Sequence, residues 1–408
     1  MNNVLVVGAG SIGTLIGVAL VRAGLEVTFA GKPKSNYTKL LKKQGLKIIY
    51  PTGESYGFSP FHSNVSFTDT QQYQRKKFDL IIVALKSNDL LQASVYIKHH
   101  STPETIIVHA QNGIPYWWFN NETYLQSLNS RLSKRFKDRP YLDSVDAQGV
   151  ILNRLKNRQL VGCVIKAPCK KIEDGCIKVT KPPKLILGLT KSNAAVETQK
   201  IVEQLCQTFS THDIPATHTD NIRAAVCNKL AINLATNVLS ALTGKIIADL
   251  TANSQTNKLI KVILREINQI FQLYAIQPQD LPTESQVYSY IQAPGSQTHL
   301  PSLAQDFLQH RQGEISLITA PVEMAQIAKI KAPALFSLAK LLQLGQNYTL
   351  NKNKGKFNIL TFDNSINCFV LTNDVYQNYL FKPLDIAEAL DSLAQINVCT
   401  LDSMCYSA

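Results

Sequence analysis

Six residues near the start of the chain, Gly8-Ala9-Gly10-Ser11-Ile12-Gly13, constrain its fold more than any other feature. They follow an apolar run, Val4 to Val7, and open a helix-like stretch, Ile12 to Ala23, after which Glu26 to Ala30 is again strand-like. Strand, glycine-rich turn, helix and strand in that order are the opening of a βαβ unit. In such a unit the first glycine permits a tight turn and the second leaves the backbone open to a pyrophosphate. The third lets the helix pack on the strand while its N-terminus faces the phosphates. Gly8, Ala9, Gly10, Ser11, Ile12 and Gly13 are therefore expected to bind a dinucleotide.

The apolar bursts Leu80 to Leu85 and Thr105 to Ala110 have the unbroken hydrophobicity of strands buried on both faces of a parallel sheet. From Asp220 the texture changes to long helical periods, in Ile222 to Leu242, Asn257 to Tyr274, Leu303 to His310 and Ile315 to Ile330. Beyond Gly355 it becomes strand-like again (Phe357 to Phe362, Cys368 to Leu371) and then helix-like, Leu384 to Leu393. The expected architecture is α/β: an N-terminal Rossmann-type doubly wound sheet over 1–217, a mainly helical substrate and catalytic domain over 218–354, and a small C-terminal extension over 355–408. Asn120 to Pro140, with Arg131, Lys134, Arg135, Lys137 and Arg139, reads as a solvated loop or helix face inserted in the first domain.

Composition narrows the function classes. A chain of 408 residues, 45% hydrophobic and 17% charged, is no disordered polyelectrolyte and has material for two or three domains. Lysine plus arginine (42) less aspartate plus glutamate (29) gives +13, which favours anionic partners, but no nucleic-acid reader motif accompanies the charge. The run Val4 to Val21 is interrupted by glycines, and the run Leu230 to Gly244 is short for a hydrocarbon core of about 30 Å, so no membrane association is expected. Nothing at the start reads as a signal peptide, so the expected compartment is the cytoplasm. The eight cysteines form no C-x-x-C pair and no zinc spacing with the eight histidines, so reduced thiols and no metal are expected.

Sites that prefer NAD carry an acidic residue about 20 positions after the glycines, on the ribose 2′-hydroxyl. From Val27 to Gly53 this chain has neither Asp nor Glu, and its second strand runs into Ala30-Gly31-Lys32-Pro33-Lys34. Lysines there suit a 2′-phosphate, so NADP(H) is the expected cofactor, with Lys32 on the phosphate. Leu85-Lys86-Ser87 and Gln111-Asn112-Gly113 follow strands, at the carboxyl ends where open α/β sheets bind ligands.

The second half has its own constellation. Lys229, Asn233 and Asn237 recur every fourth residue among Leu230, Ile232, Leu234 and Val238, so a polar stripe runs along one face of an apolar helix. Such a stripe lines something wet or a ligand, or it is buried polar glue between domains. Ser302, in Pro301-Ser302-Leu303-Ala304-Gln305, has the form of a capping box. Glu314 lies twelve residues on, about 18 Å away in one straight helix. A break at Gln309 to Gly313 would let Glu314 begin a second helix that folds back.

Together Gly-Ala-Gly-Ser-Ile-Gly, Leu85-Lys86, Gln111-Asn112-Gly113, Asn228-Lys229-Leu230-Ala231-Ile232-Asn233 and Pro301-Ser302-Leu303-Ala304-Gln305-Asp306 resemble the ketopantoate reductase family, from Met1 to about Gly345. The resemblance implies NADPH-dependent reduction of 2-dehydropantoate to (R)-pantoate in pantothenate and coenzyme A synthesis. It implies Lys229 as general acid, Glu314 orienting Lys229 and substrate, Asn233 and Asn237 on hydroxyl and oxo groups, and Ser302 on the carboxylate. Lys86 and Asn112 would contact the cofactor near its nicotinamide. The chemistry agrees: a 2-oxo acid reduced by hydride develops an alkoxide that needs a proton or cation, and a lysine provides either. The family usually carries Thr-Glu-Ile-Asp and then Asn-Gly where this chain has Gly313-Glu314-Ile315-Ser316 and Thr319-Ala320. Reduction of another small 2-oxo acid, or a non-enzymatic NADP(H)-binding sensor, are the alternatives. The partner expected is a small 2-oxo acid, with a homodimer left open and no nucleic acid.

Overall fold

A computed structural model describes residues 2–173, 175–191, 196–350, 360–363 and 368–371, with 348–350, 360–363 and 368–371 given by backbone alone. The chain divides into two compact units, Met1–Val226 and Cys227–Ala408.

In the first unit an eight-stranded sheet is built from β1 (Asn3–Val7), β2 (Glu26–Gly31), β5 (Val65–Asp69), β6 (Leu80–Val83), β7 (Ile106–His109), β8 (Gln159–Lys166), β11 (Lys184–Leu189) and β12 (Ala216–His218). Their order across the sheet is β12-β11-β8-β7-β6-β1-β2-β5. All neighbours run parallel except β8 and β11. Strands buried on both faces need apolar residues at consecutive positions. That is how Val4 to Val7, Leu80 to Val83 and Ile106 to Val108 read, all of them buried. The sequence therefore specifies a Rossmann-type doubly wound sheet. A smaller sheet joins Leu46–Ile49 (β3), Ser55–Phe58 (β4), Cys169–Glu173 (β9) and Cys176–Val179 (β10) in the order β4-β3-β10-β9.

Helix α1 (Ser11–Arg22) is buried almost all round, from Gly13 to Val21. A helix apolar on every side belongs inside a fold, and α1 packs on β2, β3 and β9; a second helix, α2 (Asn36–Gln44), follows β2. The basic insertion forms two short helices, Glu122–Ser127 and Ser130–Asp138, with Asn121 and Asn129 accepting the Tyr124 and Leu132 amides as N-caps. Leu132 and Phe136, four apart, are buried, and Phe136 stacks on Phe119 with centroids 3.5 Å apart. Arg131, Lys134, Lys137 and Arg139 are exposed, so the segment is an amphipathic helix whose charged side faces water.

From Cys227 to Leu350 the second unit is helical: Glu284–Gln292 packs on Ile247–Ala252 and Pro294–Gln297, while Ser254–Leu273, Ser302–Leu308, Ser316–Ala328 and Pro333–Leu350 pack on the helix Ile222–Thr243, whose first residues belong to the first unit. That helix is 22 residues long and apolar enough to cross a membrane by length and composition, longer than the run Leu230 to Gly244 alone, yet 78% of its most apolar window is buried inside the fold. It is placed as a core helix. Glu266 lies buried on Ser254–Leu273 and accepts the amides of Ala334 (3.0 Å) and Leu335 (2.9 Å), capping the helix Pro333–Leu350 from outside it. Burial raises the Glu266 carboxyl above its usual range, against those two hydrogen bonds. Leu360–Asp363 pairs antiparallel with Cys368–Leu371. The helix expected at Leu384 to Leu393 lies outside the described residues.

Candidate active site

The glycine motif occupies the turn between β1 and α1. Gly8 has φ +102°, and a Cβ there would stand 2.6 Å from the Ala84 carbonyl oxygen at the end of β6. A Cβ on Gly13 would overlap the Gly8 carbonyl itself. Gly10 differs: nothing lies within 4 Å of the Cβ it lacks. It is exposed, it caps α1 without a side chain, and the first turn of α1 carries no acid. The Ser11, Ile12 and Gly13 amides precede the first intrahelical bond, Thr14 N to Gly10 O at 2.8 Å, and are left to an external acceptor. Two glycines that serve close packing and one that serves open approach are what a pyrophosphate at a helix N-terminus requires. On this observation the residues fit a dinucleotide.

The other first-unit candidates gather at the same edge. Lys32, Lys86 and Asn112 follow the carboxyl ends of β2, β6 and β7, which stand with β1 in the order β7-β6-β1-β2. Lys86 is the N-cap of helix α3 (Ser87–His100). Gln111 Nε2 donates to the Leu85 carbonyl at 2.9 Å, tying the loop that holds Asn112 to the loop that holds Lys86. Behind them His109 is buried, with Nε2 and the Tyr116 hydroxyl 2.5 Å apart. Burial pushes its imidazole down to about 3, so it stays neutral.

Lys32 is not idle. Its Nζ lies 2.9 Å from Asp89 Oδ1, in the first turn of α3, and its carbonyl accepts the Thr38 hydroxyl at 2.8 Å. Sequence reasoning missed Asp89, which stands far from the second strand in the chain and shows only as the third residue after Lys86.

In the second unit Lys229, Asn233 and Asn237 lie on the helix Ile222–Thr243, whose segment Leu234–Val238 is a π turn. Four α-helical residues overshoot one turn by about 40°, so the stripe would drift round an ideal helix. The wider π turn absorbs that overshoot and keeps Asn237 closer to the line of Asn233. Lys229 is half-buried, and both asparagines are 9% exposed. The Asn237 side-chain oxygen accepts the Thr236 hydroxyl at 3.1 Å. Asn233 Nδ2 is buried with no hydrogen-bond partner. A buried donor left unmet is costly and stands ready for an acceptor from outside the chain.

Ser302 is the first residue of Ser302–Leu308, with Pro301 at the N-cap and no side-chain cap bond. The hydroxyl is exposed, so the capping alternative is not what the structure shows. The helix ends at Leu308, the chain passes His310 at φ 51°, and Gly313 N donates to Gln346 Oε1 at 3.1 Å before Glu314. Ser316–Ala328 then begins, and it and Ser302–Leu308 both pack against the π turn. The break expected between Ser302 and Glu314 is thus present, but Glu314 stands two residues before the second helix rather than beginning it, and the helices on either side of the break both meet the segment that carries Asn237.

Two family descriptions match the chain: "Ketopantoate reductase PanE/ApbA" over residues 4–192 and "Ketopantoate reductase PanE/ApbA C terminal" over 221–346. A 2-dehydropantoate 2-reductase from Mesorhizobium japonicum is 23% identical over 338 residues, 82% of this chain and 95% of that protein. The fold is shared with a PanE/ApbA family ketopantoate reductase from Ralstonia eutropha (TM-score 0.64, 19% identity, 85% and 99% of the two chains). It is shared equally with a D-mandelate dehydrogenase solved with NADH and anilino(oxo)acetate (TM-score 0.65, 16% identity, 85% and 99%). The chain, with its dinucleotide turn, its helical second unit and these matches across both, belongs to the ketopantoate reductase family of oxidoreductases.

Proposed function

We propose that the chain reduces 2-dehydropantoate to (R)-pantoate with NADPH. The observation that carries the reading is the polar stripe of the buried helix, in particular the unmet Asn233 Nδ2 one helical turn from Lys229. Gly8 to Gly13 would hold the pyrophosphate, Lys32 the 2′-phosphate, and Lys86 and Asn112 the nicotinamide end. When bound, the cofactor supplies hydride to the 2-oxo carbon. Lys229 holds a proton at Nζ and delivers it to the oxygen on which negative charge develops. Asn233 and Asn237 bind the hydroxyl and oxo groups, Ser302 binds the carboxylate through its hydroxyl, and Glu314 orients Lys229.

A second reading, another small 2-oxo acid, is favoured by Gly313-Glu314-Ile315-Ser316, which departs from the family's usual residues beside the glutamate. A panel of 2-oxo acids assayed with NADPH separates the two. 2-Dehydropantoate should have the highest kcat/KM, and a different best substrate would overturn the first reading while leaving the reaction class. Lys229→Ala should lower kcat on the order of 10²-fold with little change in KM, because a general acid acts mainly in the transition state. Turnover within a few-fold of wild type would remove Lys229 from the chemistry.

A further inference from the structure

At the end of β2, where many dinucleotide sites place an acid, this chain has lysine in sequence and an acid in space. Asp89 comes in from α3 to within 2.9 Å of Lys32 Nζ. Its own amide donates to the Lys86 carbonyl at 3.0 Å, which fixes the turn that presents it. The neighbouring pair at this edge, Lys42 with Asp69 (2.7 Å), is of another kind. Asp69 also accepts the Gln71 amide at 3.0 Å, and Lys42 also donates to Gln72 Oε1 at 3.0 Å, so that pair is knitted into the loop after β5. Among the described residues the Asp89 carboxylate bonds to Lys32 alone, and Lys34, at φ 59° and exposed, forms no ion pair.

We infer that Asp89 is a specificity-determining residue for the cofactor, holding Lys32 in a pair that a 2′-phosphate must break and a ribose 2′-hydroxyl can use. The inference rests on the dinucleotide reading of Gly8 to Gly13. A 2′-phosphate gains Lys32 and Lys34 but meets the Asp89 carboxylate beside them, so part of the lysines' attraction is cancelled. A 2′-hydroxyl is a donor, and the Asp89 oxygen not engaged by Lys32 can accept it, as the acid at the end of the second strand does in NAD sites. The end of β2 thus accommodates either cofactor, with a shallow preference for the phosphorylated one.

Equilibrium titration of the full chain with NADPH and with NADH tests this on wild type, Asp89→Asn and Lys32→Gln. Asp89→Asn should tighten NADPH about 3- to 5-fold, the scale of an exposed ion pair, and weaken NADH by a similar factor. Lys32→Gln should lose affinity for NADPH and leave NADH within about twofold. Since Asp89 is a surface residue, a thermal melt within a degree or two of wild type is expected for both variants. An NADPH to NADH affinity ratio unchanged in Asp89→Asn would overturn the inference, leaving an ordinary surface pair. Wild type that bound neither dinucleotide would overturn the dinucleotide reading itself, and this inference with it.

Discussion

The three glycines of the dinucleotide turn do different work, and substituting them one at a time separates packing from ligand approach. At Gly13 an added Cβ overlaps the Gly8 carbonyl, so Gly13→Ala must push α1 away from the end of β1. Backbone cannot yield as a flexible side chain does, and the cost should be about 2–4 kcal/mol. Gly8→Ala combines a φ of +102° with a Cβ 2.6 Å from the Ala84 oxygen, and about 2–3 kcal/mol is expected. At Gly10 the Cβ enters open space, so Gly10→Val should cost at most about 1 kcal/mol, the scale of a poorer N-cap. At roughly 2–4 °C per kcal/mol for a body of this size, Gly8→Ala and Gly13→Ala should melt about 5–15 °C early and Gly10→Val nearly with wild type. A parallel NADPH titration should give the opposite order for the last, with Gly10→Val losing at least about tenfold in affinity because its side chain occupies the path of the pyrophosphate. The reasoning fails if Gly10→Val melts as early as Gly13→Ala, or if it binds NADPH like wild type.

Glu266→Ala should orphan the Ala334 and Leu335 amides and cost about 2–4 kcal/mol in urea unfolding, whereas Glu266→Gln, which keeps one acceptor, should cost about half as much. Equal losses in the two would mean that the side chain packs rather than caps. His109 has a folded pKa of about 3 against an ordinary 6.5, so its imidazole is neutral in both folded and unfolded states above that ordinary value. As pH falls from about 6.5 towards 3 the unfolded chain takes up a proton the folded one refuses. This one group should therefore remove about 2 kcal/mol of stability by pH 5. His109→Gln should flatten the urea midpoint between pH 7 and pH 5 by that amount, and an unchanged pH slope would contradict the buried neutral imidazole.

Periodicity made the first unit legible because its strands are buried on both faces. Val4 to Val7 and Leu80 to Val83 have no polar alternative to a central parallel strand, and the glycine turn commits the chain to a helix directly after the first of them. The smaller sheet was not legible. Strands such as Cys169–Glu173 are largely exposed and rich in lysine, so neither alternation nor apolar runs mark them. The insertion at 120–140 was half legible: its charge correctly gave a solvated face. The anchoring pair Leu132 and Phe136 is two residues in a basic field, and only their spacing of four, with asparagine ahead of each helix, could have shown the buried side.

The candidate site divides along the same physical line. Gly8 to Gly13 was readable because each glycine answers a local steric demand, so the signal is contiguous. Asp89 was not, because an ion pair between a strand end and a helix 57 residues later is a product of the topology that sets β6 one strand away from β2, across β1. The stripe at Lys229, Asn233 and Asn237 lies between these cases. Its spacing of four was visible, and an ideal helix of that spacing drifts about 80° from first to last. A chain that kept the α-helical pitch would turn Asn237 away from Lys229. The π turn at Leu234–Val238 removes that conflict while the residues between stay buried, so the spacing and the wide turn belong together as one adaptation of the helix to its polar face.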